Sequence, residues 1–313
     1  MNQPYYLALD GLRGLLVLAV YLFHYYVSPF TKDWHMAVDV FFILSGFLVT
    51  RSYQNLSGNF VSKSKTFLKK RFFRIYPIYF VSVLLISYLK DSHLGSIFSQ
   101  LTFTYGFLMY DPAYLPNAVT WSLFNEEFFY LIFPLIIYKI GFFSSFFFLV
   151  LSWLLRKKMF GYATLFETHT GDPYYLARIP LTNMYFFAAG IYLYYFVDRF
   201  HQQYFKYVVM MLTLGVLAIF LNNHELKFLW LSYLTIFYCL IFHRYNVLKF
   251  PPLVWMGKHC YFIYLFQFIP RDFLLHFGVA NHSYLGIINF VIVVILAGLS
   301  MRFIERPILK KYS

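Results

Sequence analysis

The sequence predicts an all-α integral membrane protein, a bundle of about ten transmembrane helices with both termini cytoplasmic, forming one domain over residues 1–313. Three observations predict it. Hydrophobic residues make up 60% of the chain and charged residues only 12%, too few charges to cover a soluble globule. Mean hydropathy is +0.60. Runs of about 20 apolar residues, the length that crosses a hydrocarbon core of about 30 Å, recur along the chain. This composition excludes disorder, a coiled coil and a soluble nucleic-acid binder. The 26 Lys and Arg against 13 Asp and Glu, a net charge of +13, therefore read as membrane topology and contact with anionic headgroups.

Taken in order, the apolar runs cover 8–28, 35–54, 72–90, 121–139, 141–156, 179–197, 204–222, 226–243, 253–275 and 283–303. The first keeps Asp10 and Arg13 at its start and no small-residue cleavage site follows Tyr25 and Tyr26, so it is expected to be retained rather than cleaved as a signal peptide. The fourth and fifth meet at Gly141 with almost no linker. The stretch from Leu94 to Tyr110 is apolar but interrupted and is placed on the membrane surface or as a re-entrant piece. The longest loops are expected between Ser52 and Arg71 and between Arg156 and Arg178. With the N-terminus inside, the inner segments hold sixteen Lys and Arg and the outer segments eight, as the positive-inside rule requires. The outer cluster Arg156 to Lys158 runs against it. Cys239 and Cys260 sit in apolar runs without metal-ligand spacing, so neither a disulfide framework nor a metal site is expected.

A charged side chain at mid-membrane costs roughly 2.5–3.5 kcal/mol on insertion scales, so those within spans are the functional candidates. In the first span Arg13 and His24 are eleven residues apart, which returns them to within about 20° of one helix face, about 16 Å apart along the axis. That face carries a cation toward the inside and an imidazole toward the outside; an Asp10–Arg13 pair beside a core histidine is the plainer alternative. The second span brings Asp39 to the outer end, level with His24, and then the pair Ser45-Gly46 among bulky neighbours, a place for a substrate or for a packed helix. Arg71 and Arg74 are three residues apart and share a helix face, as a phosphate receptor or as an anchor for anionic lipid. The fourth span opens with Trp121-Ser122 and carries adjacent Glu126 and Glu127. Glu126 falls at the expected depth of His24, where it orients the imidazole, unless it pairs with Arg178 instead. Lys258 snorkels to the inner surface and Glu305 with Arg306 closes the last helix.

This set of residues resembles the acyltransferase 3 family of integral membrane acyltransferases through most of the chain. Leu9-Asp10-Gly11-Leu12-Arg13-Gly14 followed by His24 is similar to the family's opening motif. Asp39 to Phe47, Arg71 to Pro77, and Trp121-Ser122-Leu123 with Glu126, Phe129 and Tyr130 resemble the next three, and Gly257 to Leu265 with Ile304 to Pro307 the closing ones. Gln267 stands where the family pattern has a histidine. No hydrolase-like domain of the SGNH type is expected after the last span. The resemblance implies transfer of an acyl group, usually acetyl, from cytoplasmic acyl-coenzyme A to a hydroxyl of a glycan or other acceptor, in the bacterial inner membrane and without a metal. It further implies that Arg13, Arg71 and Arg74, with Ser45 and Gly46, take the donor. His24 would be the general base, Glu126 or Asp39 its orienting groups, and Trp121, Ser122, Tyr130, Tyr264 and Gln267 would meet the substrate. A transporter or flippase of an anionic lipid-linked substrate is the alternative, although the sequence shows no paired repeats or broken helices of the transporter kind.

Overall fold

The computed structural model describes residues 6–26, 28–106, 115–162, 175–200, 204–220, 224–241, 246–278 and 284–312. Apolar residues in long runs satisfy their backbone groups internally only as helices. Among the described residues all regular structure is helical: α1 (Leu7–Tyr25), α2 (Ala37–Gln54), α3 (Phe60–Leu89), α4 (Leu94–Leu101), α5 (Thr120–Ile137), α6 (Phe142–Phe160) and the short α7 (Tyr175–Arg178). They are followed by α8 (Pro180–Phe200), α9 (Tyr204–Phe220), α10 (His224–Ile241), α11 (Pro251–Lys258), α12 (Cys260–Phe266), α13 (Ile269–His276), α14 (Leu285–Ser300) and α15 (Arg306–Tyr312). Among the described residues four stretches are long and apolar enough to cross a membrane: Leu7–Tyr25, Trp34–Gln54, Phe60–Leu89 and Leu285–Lys311.

Three expectations need correction. The supposed inner loop before Arg71 is largely helix, because Asn59 caps α3 by accepting a hydrogen bond from the Ser62 amide at 2.9 Å. The lysines of this segment suggested a loop, yet lysine is a good helix former. Thirty residues give α3 a length of about 45 Å, so it outreaches a bilayer core and carries Lys63 to Lys70 on its excess. The expected ninth span is broken into α11, α12 and α13, at His259 and again at Gln267–Phe268. Pro270 at the start of α13 has no N–H to continue the ladder. The tenth run continues past Phe303 through a π-helical turn, Met301–Glu305, into α15. Between Leu94 and Tyr110, α4 has eight residues, about 12 Å, and does not cross a membrane; residues 107–110 lie outside the described ones.

Two helix contacts set the frame of the core. Gly14 on α1 meets α11 so closely that a Cβ there would lie 2.0 Å from the Leu253 carbonyl oxygen. A Cβ on Gly46 of α2 would lie 2.2 Å from Phe187 O, and one on Gly190 of α8 2.1 Å from Ile43 O. Small residues let these backbones touch. Around them pack fully buried aromatic side chains such as Tyr79, Phe129, Phe133 and Phe187.

Candidate active site

Helices α1, α2, α3, α5 and α12, together with the C-terminal segment, leave between them a cavity of about 470 Å³, within the range of small-molecule sites. Each helix offers one stripe. On α2 Val38, Phe41, Ser45 and Leu48 recur in steps of three and four, the spacing of one face. Val38 to Arg51 covers about 20 Å, so the cavity follows α2 for most of its length. Ser122, Glu126 and Tyr130 on α5 recur in steps of four, as do Met301, Glu305 and Leu309 at the C-terminal end.

Five cations line this space, Arg13, Arg51, Arg71, Arg74 and Lys258, against three carboxylates, Asp10, Glu126 and Glu305. Arg13 approaches Asp10 at 3.8 Å. The Arg71 guanidinium lies 5.3 Å from the centre of the Tyr130 ring and 5.5 Å from that of Phe67, and its buried Nε has no hydrogen-bond partner. Lys69 and Lys70 are exposed and do not line the cavity. The basic run therefore divides, with arginines turned inward and lysines outward. An excess of positive charge with an unused donor is a site for an anion.

Beside the arginines, Ser45 Oγ donates to Glu126 Oε1 at 3.0 Å and lies 2.9 Å from the Tyr130 hydroxyl, which also donates to that carboxylate oxygen. Neither expectation for Glu126 holds. Its partners are Ser45 and Tyr130, not His24 and not Arg178, whose backbone carbonyl instead accepts from Asn125 Nδ2 at 2.7 Å. Equal depth in two helices does not fix which faces meet. On the neighbouring turn Ser122 Oγ and Tyr264 OH are 2.7 Å apart, and Tyr264 donates to Val119 O.

His24 does not line the cavity. It is half-buried at the end of α1, edge-on to Phe23 and Phe268. Its Nδ1 is 2.8 Å from Val20 O; a carbonyl only accepts, so Nδ1 carries the proton, and in the neutral ring Nε2 is the basic nitrogen. Gln267 is buried at the break after α12. The break frees carbonyls that polar side chains recover: Gln267 O accepts from Tyr25 OH and Asn289 Nδ2, and Tyr264 O from Gln267 Nε2. Asp39 does not orient His24. No hydrogen bond or ion pair joins the two among the described residues, and Arg156 beyond binds Glu225 at 3.1 Å, as Lys157 does at 3.2 Å. Gly46 faces Gly190 rather than the cavity, which decides its role in favour of helix packing. Trp121 packs edge-on to Phe42 and does not line the cavity either. Arg51, Lys258 and Glu305 do line it. Each stands near a helix end, where a surface anchor gives the same sequence signal.

Residues 6–301 match the acyltransferase domain that defines acyltransferase family 3. The chain belongs to the acyltransferase 3 family. It is 26% identical over 373 residues to the O-acetyltransferase OatA of Staphylococcus aureus strain NCTC 8325, covering 99% of this chain and 58% of the relative. A Staphylococcus aureus strain COL protein provisionally named an O-acetyltransferase is 26% identical over 369 residues with the same coverage. The peptidoglycan O-acetyltransferase OatA of Listeria monocytogenes serovar 1/2a is 32% identical over 151 residues, 42% of this chain and 24% of its own. The chain thus spans little more than half the length of the Staphylococcus aureus relatives. No solved structure matches it.

Proposed function

We propose that this chain is a membrane O-acyltransferase that takes an acyl group, acetyl in the first instance, from cytoplasmic acyl-coenzyme A and delivers it to a hydroxyl of a cell-surface or lipid-linked glycan. The observation that carries this reading is the cavity, cationic toward the ends of α1 and α2 that hold Tyr6 and Arg51, and extending along α2 to Val38. Arg13, Arg71 and Arg74 suit the phosphates of the donor, because guanidinium groups offer them paired hydrogen bonds. The pantetheine arm then runs along the Ser45 stripe of α2. His24, with Nε2 unprotonated, takes the proton of the acceptor hydroxyl as general base. Tyr264 and Ser122 line the cavity, and with Gln267 they meet the acceptor. Ten spans, both termini in the cytoplasm and residence in the bacterial plasma membrane complete the proposal.

The break between α11, α12 and α13 favours a second reading, since transporters build their sites from discontinuous helices. Proteoliposomes supplied with acetyl-coenzyme A labelled in the acetyl group and with an acceptor glycan separate the two. Label on the glycan is expected, and its loss by about 10²–10⁴-fold in His24→Ala with membrane insertion intact. Passage of intact substrate without any acylation would establish the transporter instead.

A further inference from the structure

Ser45, Glu126 and Tyr130 make up a unit that direct transfer leaves unexplained. A hydroxyl within hydrogen-bond reach of a base, with that base held by a third group, is the arrangement of an activated nucleophile. Ser45 Oγ donates to Glu126 Oε1 at 3.0 Å, and Tyr130 binds the same oxygen while lying 2.9 Å from Ser45. Two hydroxyl protons serve three oxygen–oxygen contacts, so Glu126 can accept the Ser45 proton with no atom moving far. The three residues line the cavity with Arg13 and Arg71, whose positive charge favours an oxyanion. His24, by contrast, does not line it, and stands about 16 Å along α1 from Arg13.

We propose that Ser45 is the acyl carrier of a two-step transfer, with Glu126 as its base and Tyr130 as the positioning residue of Glu126. This rests on the reading of the cavity as the site of an acyl thioester. In the first step the Ser45 oxygen attacks the thioester carbonyl, the C–S bond breaks and an O–C ester bond forms. The Ser45 proton passes to Glu126, and coenzyme A leaves as a thiolate that water protonates. In the second step the acceptor hydroxyl attacks the Ser45 ester, and its proton passes through a water to His24, which stands outside the cavity. The Ser45 oxygen departs and recovers the proton held on Glu126, and His24 releases its own to water.

The experiment uses the full-length protein in detergent with acetyl-coenzyme A labelled in the acetyl group. In His24→Ala, where the second step is blocked, label is expected to reach about one acyl group per chain, on the peptide that contains Ser45. Ser45→Ala is expected to take no label and to lose transfer to the glycan by at least 10²-fold. Ser45→Cys keeps the nucleophile and nearly the volume, and is expected to carry a thioester that neutral hydroxylamine cleaves. Transfer within about twofold of the unchanged protein in Ser45→Ala would overturn the proposal, as would an active Ser45→Cys that never carries a thioester. Those outcomes leave the acyltransferase reading standing. That reading falls separately, and the carrier with it, if the unchanged protein moves no acyl group to any acceptor.

Discussion

Arg71 presents a planar cation over the Tyr130 ring with one N–H unused, so its replacement by lysine keeps the charge and removes the flat, multiply donating head. Arg71→Lys is expected to raise KM for acyl-coenzyme A about tenfold, or about 1.4 kcal/mol, while kcat changes less; steady-state kinetics with varied donor checks it. Tyr130→Phe removes one hydroxyl from the Glu126 carboxylate. A hydrogen bond to a charged group is worth about 1.5–3 kcal/mol, so kcat is expected to fall by about 10- to 100-fold with folding retained, read by single-turnover transfer and elution on a sizing column. Arg13, Arg71, Arg74 and Glu126, which line the cavity, stand out in the sequence because a charge within an apolar run is costly and therefore conspicuous. Their partners were not. Depth along a helix follows from counting residues, whereas the rotation of one helix against another follows from packing, and so Glu126 meets Ser45 where His24 was expected.

Helix packing also decides what the small residues are for. Gly46 and Gly190 approach each other across α2 and α8, with the ideal Cβ of each only 2.1–2.2 Å from a backbone oxygen of the other helix. Gly46→Ala and Gly190→Ala are each expected to destabilise the protein by about 1–3 kcal/mol through overpacking, and the double variant by less than the sum, because both relieve the same contact by the same separation of helices. Thermal unfolding in detergent measures all three. Loss of donor affinity in Gly46→Ala at unchanged stability would make Gly46 a donor contact instead. Element boundaries were legible wherever an apolar run ended in charge or proline, as α1, α2 and α5 illustrate. They were not where the decisive residue was a local cap or a lost amide. Asn59 starts α3 some twelve residues before the apolar run begins. The break at Gln267–Phe268 is marked in the sequence by Pro270, Arg271 and Asp272, which a single span from 253 to 275 passes over, and it persists because Tyr25, Asn289 and Gln267 supply donors to the freed carbonyls.

For the molecule as a whole, the distribution of cations is the main topological signal, and the cluster Arg156 to Lys158 is its one contradiction. The structure supplies a reason for that cluster other than retention in the cytoplasm: Arg156 and Lys157 both bind Glu225, and the Arg156 guanidinium also donates to Thr182 O at 3.1 Å. Charge neutralised by a carboxylate and a carbonyl exerts little pull on orientation, while Lys65, Lys69 and Lys70 remain exposed on a helix longer than the bilayer core. Ten spans with both termini inside therefore predict that the exposed positions 70 and 158 lie on opposite sides. Cys239 and Cys260 are both buried, so a thiol introduced at either position is the one an impermeant maleimide finds first. In intact cells Lys158→Cys is expected to label at once and Lys70→Cys only after the membrane is opened. The reverse pattern would turn the bundle over and put the arginine-lined cavity on the outer side, out of reach of a cytoplasmic thioester. Labelling of both from outside would mean an even number of spans between them.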